Sequence, residues 1–389
     1  MCIGIAVFHL VPMFFREGDW EFAASRYLAY FTDVFFVMGG FFLGRRVRRM
    51  GARREPTREF LVQRLSRLYP LHLATFGFYL LMSSAVWSGF LHSNEPGRYD
   101  PWSILPHLTL THGVGAGQPL AFNYPSWAVS AVFFCDLLVP FLLAAQVRSQ
   151  WLLGLVLAGS IGTSLIAASL LSVHLTSLQD AGWGALRALP SFVFGLVLAT
   201  SGLRVRSRLL AAGLLLVALA LAFTSPEPLV GLARLGTIYL LVTGVFAAET
   251  AGLWIPLSIR PLQALGRYSY GVYLLHMIVA TLVVSLLLKR VLQVDAIQLG
   301  DSSPGLAYAV LAGSVLASFV AAHVSLHSVE RLGGQWIRAT LLPSRHSDAV
   351  TSDDSQAPDR SRASPLHDRT APDMTLAHDG CAPRFDSRL

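Results

Sequence analysis

His9 lies in the first apolar stretch of the chain, between Phe8 and Leu10. An imidazole in such surroundings is either a hydrogen-bonded structural residue or a general base, because hydrocarbon favours the neutral form that accepts a proton. Ionisable groups inside a membrane are costly and are read as functional by default. Arg64 and Arg67, three positions apart, share a helix face and can offer two guanidinium forks to one phosphate. They close a run of nine arginines (Arg45, Arg46, Arg48, Arg49, Arg53, Arg54, Arg58, Arg64, Arg67) answered only by Glu55 and Glu59. Anchoring on the cytoplasmic side accounts for most of that run, but does not single out the spaced pair.

Asp136 falls nine residues after Trp127, about 13 Å along a helix. A carboxylate at that depth must be paired, protonated or wetted, with Arg187 as one candidate partner. Asp33 raises the same question. His276 is a further imidazole in an apolar stretch. His323, His327 and Glu330 fall at i, i+4 and i+7, a spacing that resembles metal ligation, but Glu330 sits at the membrane edge and no metal is expected. No Ser-His-Asp elbow, phosphate-cradling glycine loop or zinc signature is present.

The elements that position these groups follow from composition. Hydrophobic residues make up 53% of the 389-residue chain, charged residues 14%, and mean hydropathy is +0.53. A soluble chain carries about 25% charged residues, so this is an integral membrane protein. Ten apolar stretches approach the ~20 residues that a bilayer-crossing helix needs: 1–15, 27–44, 69–91, 126–146, 151–172, 184–201, 208–224, 229–249, 268–288 and 305–327. Joints two, four, six and eight carry the nine-arginine run, Arg148, then Arg204, Arg206 and Arg208, then Arg260 and Arg267. The opposite joints carry Glu17, Asp19, Glu21, Asp100, Asp180, Glu227, Asp295 and Asp301. This alternation predicts an all-α, polytopic helix bundle of about ten transmembrane helices with both termini cytoplasmic. The net charge of +7 then reflects anionic headgroups rather than nucleic acid.

Residues 91–125 read as a long external loop, with Trp102, His107, His112 and a glycine-rich turn. Residues 343–389, rich in Ser, Asp, Arg and Pro, read as a disordered cytoplasmic tail following a membrane domain over 1–342. Cys2, Cys135 and Cys381 form neither a disulfide framework nor a metal knuckle. The first stretch spans only about 22 Å with no charged flank, so the helix is expected to begin upstream of Met1.

Five sequence segments occur in the order seen in acyltransferase family 3: Asp33-Val-Phe-Phe-Val-Met-Gly-Gly-Phe41; Arg64 and Arg67 before Leu-Tyr-Pro70; Ser126-Trp127; Arg187…Phe192…Gly195; and Leu265-Gly-Arg-Tyr-Ser269-Tyr-Gly-Val-Tyr-Leu-Leu-His276. Over residues 1–335 the chain resembles these ten-helix membrane enzymes, which move acyl groups, often acetyl from acetyl-CoA, onto hydroxyls of glycans and natural products. The resemblance implies His9 as catalytic base, Arg64 and Arg67 as acyl-CoA-handling residues, and Glu330 as the acid ending the last helix. Asp33, Trp127, Arg187, Ser269 and His276 are further candidates. The chain departs from the family in three places. The basic residue eleven positions before the histidine would precede Met1. The proline after the terminal acid is replaced by Leu332-Gly-Gly. The glutamate five residues after Trp127 is Val132; Asp136, one turn further on the same face, is expected to replace that carboxylate.

The expectation is a bacterial inner-membrane O-acyltransferase with acyl-CoA as donor and a glycan, lipid-linked sugar or secondary metabolite as acceptor, without a metal. A polytopic carrier or flippase and a catalytically inactive membrane partner are the alternatives.

Overall fold

The computed structural model describes residues 1–50, 56–93, 95–148, 150–223, 231–254 and 259–342. Arg53, Arg54, Glu55, Glu227 and the expected tail at 343–389 lie outside them. The described residues belong to the unit Met1–Leu342, and among them no strand occurs.

The chain runs through α1 (Cys2–Leu10), α2 (Trp20–Tyr27), α3 (Tyr30–Met50), α4 (Thr57–Trp87), the short α5 (Ile104–Leu108), α6 (Trp127–Arg148), α7 (Gln150–Leu170) and α8 (Gly184–Thr200). It continues through α9 (Arg208–Phe223), α10 (Gly231–Thr250), α11 (Arg260–Gly266), α12 (Ser269–Ala280), α13 (Ala296–Ser302), α14 (Pro304–Ser325) and α15 (Arg331–Leu341). α12 is prolonged as a π-helix over Thr281–Val291.

Six helical stretches among the described residues are long and apolar enough to cross a bilayer: Trp20–Arg46, Tyr124–Leu142, Gln150–Leu170, Gly231–Thr250, Ser269–Val291 and Pro304–Leu341. Cys2–Met13, Gly184–Thr200 and Arg208–Phe223 are apolar but shorter. The expected span at 69–91 is the apolar end of α4, a 31-residue helix whose first turns carry Arg58, Glu59, Arg64 and Arg67.

Two close helix contacts build the frame, and both depend on glycine. A Cβ on Gly40 of α3 would lie 1.9 Å from the Phe192 carbonyl oxygen of α8, and one on Gly195 would lie 1.9 Å from that of Val37. Small residues let the backbones touch where lipid offers no hydrophobic driving force between helices. On α4, Pro70 has no N–H to donate to the Ser66 carbonyl. Gly333 and Gly334 of α15 pack against that turn, where added Cβ atoms would come within 2.6 Å of Pro70 and 2.7 Å of the Ser66 oxygen. Gly333 and Gly334 therefore have a local reason. The largest core cluster, around Phe36, Trp127, Phe192, Leu196 and Tyr273, lies between α3, α6, α8 and α12.

Candidate active site

α4 and α12 run side by side in the same direction. The Tyr270 hydroxyl donates to the Leu68 carbonyl, and eleven residues later on both helices Tyr79 and Thr281 share a hydrogen bond of 3.2 Å. On this pair of rails, α12 presents His276 six residues past Tyr270, and α4 presents Arg64 four residues before Leu68. The two side chains are thus offset by about 15 Å along the axis.

His9 is not alone. Its Nδ1 lies 2.8 Å from His276 Nε2, with the ring planes 4° apart. His276 is fully buried, and its Nδ1 lies 3.2 Å from the Val272 carbonyl oxygen. A carbonyl can only accept, so that contact places the His276 proton on Nδ1 and leaves its Nε2 as an acceptor. His9 must then donate from Nδ1, which leaves the His9 Nε2 lone pair unprotonated. The hydrogen-bond network assigns the tautomers here, and it yields the form a general base requires. Tyr124 meets the His9 ring edge-on at 5.1 Å between centroids. Its turn, Tyr124–Ser126, is pinned to α12 by Asn123 Nδ2 donating to Leu274 O (3.1 Å) and by Tyr273 Oη donating to Pro125 O (2.8 Å).

Asp136 is fully buried and accepts from Arg64 Nε at 2.7 Å. Arg187, the partner suggested by sequence, is instead engaged elsewhere, because it faces Asp33 of α3 across the glycine contact. Asp136 lies nine residues along α6 from Trp127, and its hydrogen bond is to Arg64. The contact with Arg64 runs through Nε and not through the two terminal nitrogens that form the fork. Arg67 is exposed and acts electrostatically on Glu330, whose Oε1 accepts from Ser325 Oγ at 3.1 Å. Of the two arginines, Arg64 is the one held by a carboxylate at ion-pair distance among the described residues.

Asp33 anchors a second buried charge cluster. Arg187 donates to both of its oxygens at 3.1 Å, Arg234 reaches Oδ2 at 3.0 Å, and Arg187 Nη1 donates to Gln179 Oε1 at 2.7 Å. Arg187 also lies over the Trp127 ring at 5.3 Å. Burial pushes the nearby Asp180 carboxyl up, against the pull of Arg187. Ser269 closes the turn before α12 by donating to Gly266 O at 2.6 Å. It lies seven residues from His276, away from the histidine pair. His323 pairs with Tyr268, and His327 bonds the His323 carbonyl. Among the described residues no group of three or more His, Cys, Asp or Glu side chains could hold a metal ion.

Sequence reasoning missed Arg234 and Tyr124. A lone arginine inside the apolar stretch 229–249 was the available signal for the first; nothing in the chain signalled that Tyr124 meets His9.

The family model described as "Acyltransferase domain" matches residues 1–323. The chain is 27% identical over 275 residues to the acyltransferase MdmB of Streptomyces mycarofaciens, covering 64% of this chain and 67% of the relative. No solved structure matches it. The family model's match over most of the chain, in an all-helical bundle with membrane-crossing helices, makes this chain a member of acyltransferase family 3 and a membrane acyltransferase.

Proposed function

We propose that the protein transfers an acyl group, acetyl foremost, from acyl-CoA to a hydroxyl of a glycan, lipid-linked sugar or secondary metabolite. The observation that supports this reading is the His9–His276 pair, whose hydrogen bonds leave His9 Nε2 unprotonated. His9 Nε2 takes the acceptor's hydroxyl proton as that oxygen attacks the thioester carbonyl carbon. The tetrahedral intermediate collapses with cleavage of the C–S bond, and the leaving CoA thiolate recovers the proton from His9. General-base catalysis of this kind contributes roughly 10²–10⁴-fold.

Arg64 and Arg67 bind the donor's phosphates through charge-assisted bonds. The offset of about 15 Å between Arg64 and the histidine pair suits a donor whose phosphates and thioester are separated by an extended pantetheine arm. Asp136 and Glu330 act as positioning residues for the two arginines. Asp136 thus takes the place of the family's glutamate only in the sense that it supplies a carboxylate to this helix, not a proton to the reaction.

The same reading assigns ten spans. They are the six long apolar stretches, the three shorter ones and the apolar end of α4, with the arginine run and both termini on the cytoplasmic face of a bacterial inner membrane. The test is turnover of labelled acetyl-CoA by membranes holding the protein, beside His9→Ala. Label transfer or CoA release that disappears with His9 supports the assignment. A His9→Ala protein that retains most of the activity removes His9 from the mechanism.

A further inference from the structure

Residues 91–125 are expected from sequence to be an aqueous external loop, but the fold draws them down the side of α4. At the upper end Trp87 Nε1 donates to the Tyr99 carbonyl at 3.0 Å. At the lower end Tyr69 Oη donates to the Leu108 carbonyl at 2.7 Å. Eighteen residues of α4 separate these ties, about 27 Å of helix. A hydrocarbon core is about 30 Å thick, so the loop descends through most of one.

Irregular backbone at that depth survives only where its polar groups are satisfied inside the protein, and this loop meets that condition with side chains. His107 Nδ1 and Nε2 lie 2.8 and 3.2 Å from the Ser103 and Ala121 carbonyls, and the neutral ring donates to one of the two. His72 Nε2 lies 2.9 Å from the His107 carbonyl, and His112 Nε2 lies 3.0 Å from that of Ser126. Ser130 Oγ donates to Leu110 O at 2.6 Å, and Arg98 Nε donates to Phe122 O at 3.2 Å. A water-facing loop has no need of such a set, since solvent serves its carbonyls.

The exposure pattern is inverted as well. Through the short helical turns Pro101–Ser103 and Ile104–Leu108, Ser103 and His107 are 0% and 1% exposed, while Trp102 and Leu105 are 85% and 67% exposed. Trp102 and Leu105 are three apart and share one face, and Leu81 of α4, at 68%, is exposed too. Polar groups inside and large apolar groups outside is the arrangement that lipid favours and water penalises.

We propose that Pro101–Leu108 is a membrane-inserted turn whose outer face contacts the acyl chains of the bilayer, so that this segment is re-entrant rather than an external aqueous loop. Its outer face meets hydrocarbon, and its continuation delivers Tyr124 to His9. The occupant is bilayer lipid and not a soluble acceptor or a second copy of the chain. Depth along α4 and the side-chain saturation of the carbonyls are what favour lipid.

The test uses the full-length protein in phospholipid vesicles, with the native cysteines replaced by alanine and single cysteines placed as Leu105→Cys, Trp102→Cys and Glu95→Cys. Full reaction of each variant in denaturing detergent, and retained acyl transfer by Leu105→Cys, establish that the thiols are present and the protein folded. Glu95→Cys reacts readily with a sulfonated, membrane-impermeant maleimide. Leu105→Cys and Trp102→Cys react roughly tenfold or more slowly, because a thiol in hydrocarbon stays protonated. A permeant fluorophore attached at position 105 is then quenched by phospholipids carrying a nitroxide on the acyl chain. Reaction of Leu105→Cys at the Glu95→Cys rate overturns the proposal in favour of an aqueous loop. Protection without lipid quenching overturns it in favour of a face covered by protein.

Discussion

If His276 works by holding His9 in one tautomer, its removal has a calculable cost. The bond from His9 Nδ1 to His276 Nε2 is 2.8 Å long, and its acceptor is fully buried. His276→Ala leaves the His9 Nδ1–H without that acceptor, a loss of about 1–3 kcal/mol in a buried setting. The proton can then sit on either ring nitrogen, and only one tautomer presents Nε2 as a base. If all of that energy had favoured the productive form, kcat falls by roughly 5- to 150-fold, since each 1.4 kcal/mol is about tenfold. His276→Gln keeps an acceptor, its amide oxygen, and is expected to retain most of the rate. Because His276 acts through His9, the double variant His9→Ala/His276→Ala is no slower than His9→Ala alone, in the way that residues acting as a unit are not additive. The assay is initial-rate transfer of labelled acetyl from acetyl-CoA, with each variant's amount measured in the membrane. Two independent, multiplying losses in the double variant, or a fully active His276→Ala, refute the tautomer argument.

Four other outcomes follow from the same contacts. Arg64→Ala strands a buried carboxylate and destabilises the protein by about 3–5 kcal/mol, seen as a lower midpoint in detergent thermal unfolding. Arg64→Ala/Asp136→Ala recovers much of that midpoint but not the KM for acyl-CoA. Asp136→Asn raises the donor KM with little change in kcat; a large kcat loss at saturating donor would return Asp136 to the chemistry. Gly40→Ala forces its Cβ into the Phe192 carbonyl and lowers the unfolding midpoint, with loss of folded protein as the extreme. Asp33→Asn leaves Arg187 and Arg234 facing each other without their shared carboxylate and lowers the yield of folded protein, read by size-exclusion chromatography.

The parts of this site that were legible are those carried by local pattern. His9 stands out because an imidazole is rare in an apolar run, and Arg64 and Arg67 because their spacing fits one helix face. Partners were not legible, for a physical reason. His9 and His276 are 267 residues apart, and only the packing of α1 on α12 joins them. For Asp136 the sequence offered Arg187, whereas its actual partner Arg64 follows from the register of α6 against α4 and α8. Chain spacing does not encode that register. For the segment 91–125, composition does not say which way side chains point. Its serines and histidines look like solvent-facing residues in sequence, yet Ser103 and His107 are buried while Trp102 and Leu105 are exposed. In a membrane the usual inference from polarity to surface inverts.

That inversion also explains how a bundle this apolar holds a reactive centre. Three ionisable groups at depth are matched by ones from different helices: His9 by His276, Asp136 by Arg64, Asp33 by Arg187 and Arg234. An unpaired charge in hydrocarbon costs several kcal/mol, so these pairs constrain helix register as strongly as packing does. In two of these matches a polar group stays outside the pair. His9 keeps Nε2 outside the histidine pair, and Arg64 meets Asp136 through Nε and not through its terminal nitrogens. Arg64 lies on α4 and His9 is bonded to His276 of α12, and these two helices are held in step, by Tyr270 on Leu68 and Tyr79 on Thr281, across eleven residues. A ligand short enough to touch only one of them gains only half of what the site offers. On the function proposed above, one long enough to touch both is fixed at its phosphate end and at its reacting carbon together, and orientation set in advance in this way contributes strongly to catalysis.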